Sequence, residues 1–405
     1  MDIQPIFRCA VGMDVHLSTL SVCVIVAEPG CEPEVHRQQF GAFQRDRRAM
    51  ADWIAGFQPD TVVMESTGIY WKSPYAALEK VGIRALVVNA QHVKKVPGRK
   101  TDTSDAEWLA MLARAGLLRG SFIPPASLRN LRQLSRYHHR TTAMLAAEKN
   151  RLVRVLSDAG IRLTAVVSDA HGVAARAMID CLLNGGTPEQ ALAFVGRLQA
   201  PRAELLAALQ GELSAHHVFV ARMIRQHLQF LETQLADLER QLFDALTPQE
   251  AAMQLLLTIP GIDRLAAAKL VVEIGLDMAA FGHAGRLAKW AGVCPGNHES
   301  AGKRRAGRTI PGNRYVRAIL CEIAWAAVRT TSQFKSRYQS LVMRRGTKKA
   351  IIAVAHKVLK TVFVVLSRHV PYHDTTVDYE ALLVQRNAPR WLRQLKKYGY
   401  LPKAA

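Results

Sequence analysis

Two aspartates, Asp102 and Asp105, stand three residues apart inside VPGRKTDTSDAEWLAML, directly behind the basic pair Arg99 and Lys100. On a helix, residues three apart share one face, with Cβ atoms about 5–6 Å apart. Two carboxylates held so close repel, and a divalent cation removes that repulsion. The same residues have a local reading too. Ser104 and Glu107 have the spacing of a capping box, which starts a helix near Ser104 and makes the acids helix-end decoration. The two readings are compatible, since Asp105 in a first turn and Asp102 just ahead of it can still converge on one ion. Two more acids bear on the choice. Asp14 sits in an apolar run after VGM, and Glu65 ends the run TVVM just before STG. Chemistry collects at the carboxyl ends of strands in α/β sheets, although an acid standing alone there is more often a solvated strand edge or a helix cap than a metal ligand. Lys94, Lys95, Arg99 and Lys100 would attract a phosphate backbone that carboxylates alone repel.

A second group lies in WAGVCPGNHESAGKRRAGRTIPGNRYVRAIL, residues 290 to 320. Its glycines permit close backbone approach, and Lys303, Arg304, Arg305, Arg308, Arg314 and Arg317 supply cations for phosphate. Among them Ser300 is a hydroxyl flanked by flexible residues. A loop serine is ordinarily a turn former; among arginines able to stabilise a phosphoryl transition state it is also a candidate nucleophile. No serine–histidine–acid pattern accompanies it, which argues against acyl hydrolysis. Upstream, LLLTIPGIDRLAAAKLVVEIG reads as helix, tight turn, helix. It has the form of a helix-hairpin-helix, whose helix N-terminus takes up a phosphate, or of a plain αα-hairpin.

The elements that must position these residues follow from periodicity. CAVGMDVH, LSVCVIVA and EVHRQQF, separated by turn signals, predict three antiparallel strands. Next come the helix RDRRAMADWIAGF, the strand TVVMES, the helix YWKSPYAALEKVG and the strand RALVVN, an alternation that adds parallel strands. The order βββαβαβα within about 115 residues is that of a ribonuclease H-like (RuvC-like) α/β fold, an order that periodicity alone does not separate from other α/β sheets. In that order Asp14, Glu65, Asp102 and Asp105 fall on the first strand, the fourth strand and a later helix. They can meet at one sheet edge and bind two Mg2+ ions about 3.5–4 Å apart, a clamp for phosphoryl transfer. Apolar residues then recur at heptad-like spacing through Leu131, Leu134, Leu145 and Leu152, and again from Ile224 through Leu228, Leu231, Leu235 and Leu238 to Leu242. These predict two long coiled-coil helices that pair with each other or with another subunit, the alternative being two helices packed onto a globular core. The rest is almost wholly helical in pattern. The expected division is an α/β domain over 1–120, a coiled-coil region over 121–250 and a mainly α-helical domain over 251–405.

Composition narrows the partners. The chain has 405 residues, with 54 Lys and Arg against 33 Asp and Glu, a formal net charge of +21. Such an excess calls for a polyanion, with nucleic acid the first candidate. Between residues 301 and 350 Glu322 is the lone acid among thirteen Lys and Arg, in a segment that reads as folded helix. The six cysteines show no paired spacing for zinc or for a disulfide framework, which fits a reducing cytoplasm. No apolar run reaches membrane-span length; AIIAVAHKVLKTVFVVL is interrupted by His356, Lys357 and Lys360 and reads as a buried amphipathic helix.

VGMDVH, VVMESTGIYW, VPGRKTDTSDAEWLA, LLTIPGIDRLAAAKLVVEIG, LAKWAGVCPGNHESAGKRRAGRTIPGNRYVR and KKAIIAVAHKVL occur in the order that resembles the IS110/IS1111-type insertion-sequence transposases, the DEDD bridge-RNA-guided serine recombinases. The resemblance covers nearly the whole chain. It implies a RuvC-like nuclease domain, a coiled-coil connection and a C-terminal transposase domain. Its acids fall on Asp14, Glu65, Asp102 and Asp105, with Mg2+ as cofactor, and its serine nucleophile falls on Ser300. The family serine is commonly followed at once by glycine, whereas here Ala301 precedes Gly302. The resemblance also implies a homo-oligomer, dimer or tetramer, and a noncoding bridge RNA that pairs with donor and target DNA. The expected function is therefore Mg2+-dependent cutting and exchange of DNA strands. A structure-selective nuclease using metal-activated water is the alternative within the same chemistry. A non-catalytic nucleic-acid scaffold is the alternative outside it, and leaves the four acids without a role.

Overall fold

The computed structural model describes residues 5–400 except 28–30, 66–67, 94–103, 297–298, 301–302, 305–308, 310 and 375–378, with backbone only at 91–92, 299–300, 303–304, 379–380 and 383. The chain divides into two compact units, Met1–Ala126 and Ser127–Ala405.

The first unit is built on a five-stranded sheet. Strands β1 (Cys9–Val15), β2 (Thr19–Val26) and β3 (Glu34–Gly41) form the antiparallel meander; helix α1 (Gln44–Gly56), strand β4 (Thr61–Glu65), helix α2 (Lys72–Lys80) and strand β5 (Leu86–Val88) follow. β4 pairs parallel with β1 and β5 parallel with β4, so the sheet order is β3-β2-β1-β4-β5. This is the ribonuclease H-like topology. A short helix α3 (Ala90–Val93) precedes α4 (Asp105–Arg114). Alternation along β1 divides the core: Cys9, Val11, Met13 and Val15 pack with Met50, Ile54, Tyr75 and Leu78 of α1 and α2, while Ala10 packs with Val63, Val88 and with Trp108, Leu109 and Leu112 of α4. A strand covered on both faces reads as a nearly continuous apolar run, so an acid within it stands out.

The second unit is helical. Its two longest helices, α5 (Ala126–Asp158) and α9 (Ala215–Ala245), bracket α6 (Val173–Leu183), α7 (Pro188–Ala191) and α8 (Arg202–Leu209). α5 and α9 run antiparallel and are stitched by His138 to Glu239 at 2.9 Å, Glu148 to His227 at 3.2 Å and Asp158 to His217 at 3.0 Å. The long helices therefore pair with each other. Ile224, Leu228 and Leu231 are buried within the same chain, and Leu235 and Leu238 are half-buried. The expected 121–250 region, from Ser127 onward, and the 251–405 region lie together in this second unit.

The remaining helices are α10 (Glu250–Leu257), α11 (Arg264–Ile274), α12 (Ala284–Trp290), α13 (Arg314–Ala327), α14 (Gln333–Arg345), α15 (Thr347–Arg368) and α16 (Tyr379–Lys397), with a small ribbon of β6 (Glu299–Ser300) and β7 (Lys303–Arg304) between α12 and α13. Among the described residues α15 is the helix long and apolar enough to cross a membrane. Its apolar face, including Val354, Val358, Leu359 and Val362, is buried against the neighbouring helices, as its interrupted pattern predicts.

Candidate active site

Asp14 and Glu65 each follow a residue of one register pair, Met13 and Met64 of the parallel strands β1 and β4. Those two methionines enter the core under α1 and α2. Strand alternation therefore turns Asp14 and Glu65 to the other face, at the carboxyl ends of adjacent parallel strands. That face is covered by α4, which runs antiparallel to β1: the Arg114 carbonyl at its end accepts from the Ile6 amide at 2.8 Å, just ahead of β1. Asp105, the first residue of α4, accordingly stands toward the carboxyl end of the strand, where Asp14 is. The approach depends on Gly12, because a Cβ there would lie 2.1 Å from the Ala106 carbonyl oxygen and 2.3 Å from the Ala110 nitrogen.

The helix start is set locally. The Ser104 side chain accepts from the Glu107 amide at 3.2 Å, half of the expected capping box. The Glu107 carboxylate is instead engaged by Arg37 of β3, whose Nε and Nη2 donate at 2.9 and 2.8 Å. Capping and site formation coexist: the cap fixes where α4 begins, and that start presents Asp105. His16 adds a partner, its Nε2 lying 3.1 Å from Asp14 Oδ2. Asp14, Glu65 and Asp105 thus share one face and one end of the sheet, and carboxylate oxygens are the donors Mg2+ prefers. Among the described residues no group of three His, Cys, Asp or Glu side chains is closed tightly enough to hold a metal ion. The fourth acid, Asp102, and the bases Lys94, Lys95, Arg99 and Lys100 lie outside the described residues.

Ser300 belongs to the second unit. Pro295 bridges Thr309, Glu299 pairs with Arg304 and Ser300 with Lys303, all antiparallel. The segment expected as a flexible loop holds a narrow ribbon, with Ser300 and Lys303 as the last of its described pairs. Of the six predicted phosphate contacts, Lys303 and Arg304 form β7, Arg305 and Arg308 lie outside the described residues, and Arg314 and Arg317 lie on α13. Arg314 is exposed and stacks over Tyr315, 4.9 Å from the ring centroid, while Arg317 is half-buried.

The base of the ribbon is held by a buried carboxylate that sequence reasoning missed. Glu273 of α11 has no solvent exposure. It accepts from Arg136 Nε and Nη2 at 2.8 and 3.0 Å and from Asn313 Nδ2 at 2.9 Å. Asn313 caps α13, with Oδ1 accepting from the Tyr315 and Val316 amides, and its own amide reaches the Trp290 carbonyl at 3.0 Å. Gly312 lies against Gly292 so closely that a Cβ would meet the Gly292 nitrogen at 2.3 Å. Burial works to raise the Glu273 carboxyl, but the hydrogen bond from Arg136 and the charges of Arg132 and Arg136 hold it below its ordinary value. Burial pushes Arg132 down to about 10 against the pull of Glu273.

The helix, turn, helix segment resolves into α10 and α11. Gly261 of its PGID turn packs on α13, with a Cβ position 2.5 Å from the Ala327 nitrogen, and the Asp263 carboxylate takes the Ala266 amide at 2.7 Å. Its turn glycine and a first-turn amide therefore serve internal packing and capping. The signals for the missed residues were present: a lone glycine in a buried strand marks close backbone approach, and one acid in LVVEIG breaks an apolar run.

A family described as transposase matches residues 11–161, and one described as the IS116/IS110/IS902 transposase family matches residues 253–339. A probable family 20 transposase of Pseudomonas aeruginosa is 28% identical over 337 residues, 81% of this chain and 90% of that protein. The transposase for insertion sequence element IS1111A of Coxiella burnetii is 24% identical over 327 residues, 79% of this chain and 81% of that one. Among solved structures, Thermus thermophilus RuvC aligns with 28% of this chain and 99% of its own, at 15% identity and a TM-score of 0.22. With both domain matches in order and relatives that span most of its length, the chain belongs to the IS110/IS116/IS902 family of insertion-sequence transposases.

Proposed function

We propose that this transposase cuts and exchanges DNA strands with a carboxylate-held Mg2+ site in the first unit and Ser300 as nucleophile in the second. The observation that carries the reading is the shared face of Asp14 and Glu65 at the ends of β1 and β4, with the start of α4 brought onto that face through Gly12. Asp14, Glu65, Asp105 and Asp102 would hold the metal, which when bound supplies charge stabilisation to the transferring phosphoryl group. The chain's own residues do the rest. His16 steadies one oxygen of Asp14, leaving the other for the site. The Ser300 hydroxyl oxygen forms a bond to phosphorus, the bond from phosphorus to the departing sugar oxygen breaks, and the hydroxyl proton passes through solvent to that oxygen. The phosphodiester energy is thereby kept in a phosphoserine link, which a second strand's hydroxyl can reverse. Cations of the ribbon and of α13 neutralise the phosphate's developing charge. Sequence choice rests with a bridge RNA, the +21 charge carries both nucleic acids, and the protein works as a homo-oligomer, dimer or tetramer. The free cysteines fit a reducing cytoplasm.

The test uses end-labelled element-junction DNA, Mg2+ and the noncoding RNA that flanks the element, denatured after reaction. Wild type should trap label covalently, and Ser300→Ala should lose both adduct and cleavage while still binding DNA. Free nicked DNA from both proteins, with no adduct, would show that water attacks instead.

A further inference from the structure

The hairpin of α14 and α15 carries a charge that the reaction above does not use. From Gln333 through Arg368 there is no Asp or Glu, and the surface between the two helices is exposed from Met343 to Lys349. A helix turns through 3.6 residues, so Lys349, His356 and Lys360, spaced by seven and four, lie on one stripe of α15. Lys349 and Lys360 are exposed, and His356 is half-buried.

The stripe has neighbours at both ends of its later half. Burial first, then the charges of Lys360 and Arg337, hold the His356 imidazole below its ordinary value. α14, which carries Arg337, packs along α15. Burial raises the Cys294 thiol, against the lowering pull of Lys289 and Lys360. α12 packs against α15, and its exposed Lys289 leads along the chain through Cys294 to Pro295, which opens the ribbon bearing Ser300. Cations thus run along α15 and end at the base of that ribbon.

We infer that the α15 stripe, from Lys349 through His356 to Lys360 and on to Lys289, is a track for the phosphate backbone of duplex DNA leading to the serine ribbon. At about 1.5 Å per residue the span from Lys349 to Lys360 is about 17 Å. One DNA strand presents a phosphate about every 3.4 Å along the axis, so the stripe lies along about five of them. Lysines act as mobile point charges and carry no base code. That suits a surface that positions DNA without reading it. Continuity with the ribbon favours DNA over an acidic protein, because the phosphate to be attacked must arrive there. This inference rests on the reading of Ser300 as part of the active site.

The test is the salt dependence of binding by the full chain to element-junction duplex, without RNA, for wild type and Lys349→Gln/Lys360→Gln. Each lost phosphate contact flattens the plot of log K against log salt by about 0.9 on B-form DNA, so the double variant should be flatter by about 1.8. The charge-keeping pair Lys349→Arg/Lys360→Arg should restore the wild-type slope. An unchanged slope on duplex overturns the track. So does a change seen with single-stranded RNA and not with duplex, which would make the face an RNA surface. The adduct assay on the same double variant at saturating protein separates the two readings. A Ser300 adduct with an unchanged slope retains the function and rejects the track; a flattened slope with no adduct in wild type retains a DNA surface and rejects the serine chemistry.

Discussion

The two regions that carry candidate chemistry are built in opposite ways. Asp14 and Glu65 of the first unit stand on strands at the centre of its sheet, and the apolar neighbours on β1 are buried on both faces, Cys9, Ala10, Val11 and Met13 all with no exposure. The serine ribbon of the second unit has two-residue strands and is held at its base by a buried ionic hub around Glu273. Apolar packing is indifferent to pH and intolerant of added volume. An ionic hub tolerates volume less selectively and depends on protonation.

The largest effect should come from breaking the hub. Glu273→Ala leaves Arg136 and the largely buried Arg132 without their carboxylate, and removing one partner of a buried pair costs about 3–5 kcal/mol. Thermal unfolding should show a large loss confined to the helical unit. The pH dependence sharpens this. Because the folded-state carboxyl of Glu273 is held below its ordinary value, its stabilisation is complete above the unfolded value of about 4.3 and is lost as pH falls through the folded one. Wild type should lose stability over that acid window, and Glu273→Gln, less stable at neutral pH, should lose less of it on acidification. Equal acid sensitivity in both proteins would remove Glu273 from the account.

A smaller loss, about 1–3 kcal/mol, is expected for Gly12→Ala, since its Cβ would meet the Ala106 carbonyl at 2.1 Å and α4 must shift. The shift also moves Asp105, so strand transfer should fall by more than the stability change explains. A variant as active as wild type would show that the start of α4 is not where the acids are set. The smallest stability effect belongs to Asp14→Asn. It keeps the size and the hydrogen-bonding reach toward His16, so the melting temperature should hold within the range of a surface change, about 0.5 kcal/mol, while strand transfer is lost. Retained strand transfer would return Asp14 to the role of a strand-edge acid.

Sequence determined the strands, their order and the acids on them, because a period of two is local and an acid inside a buried run violates it visibly. Asp14 and Glu65 were legible for that reason, and so was Ser104 as a cap. The long helices were legible too, but not their partner. Heptad spacing states that α5 and α9 need an apolar neighbour, and the cross-links from His138 to Glu239 and from Glu148 to His227 decide that it is each other. Ser300 was visible as a residue type, whereas its place at the end of a ribbon was not, since strands of two residues have no period to read. The same holds for Glu273 and Gly12. One shows only a misplaced charge and the other only a missing side chain, until the fold brings Arg136 and Asn313 to the first and the Ala106 carbonyl to the second. Local pattern records what a residue must avoid; only the packed structure decides which distant group satisfies it.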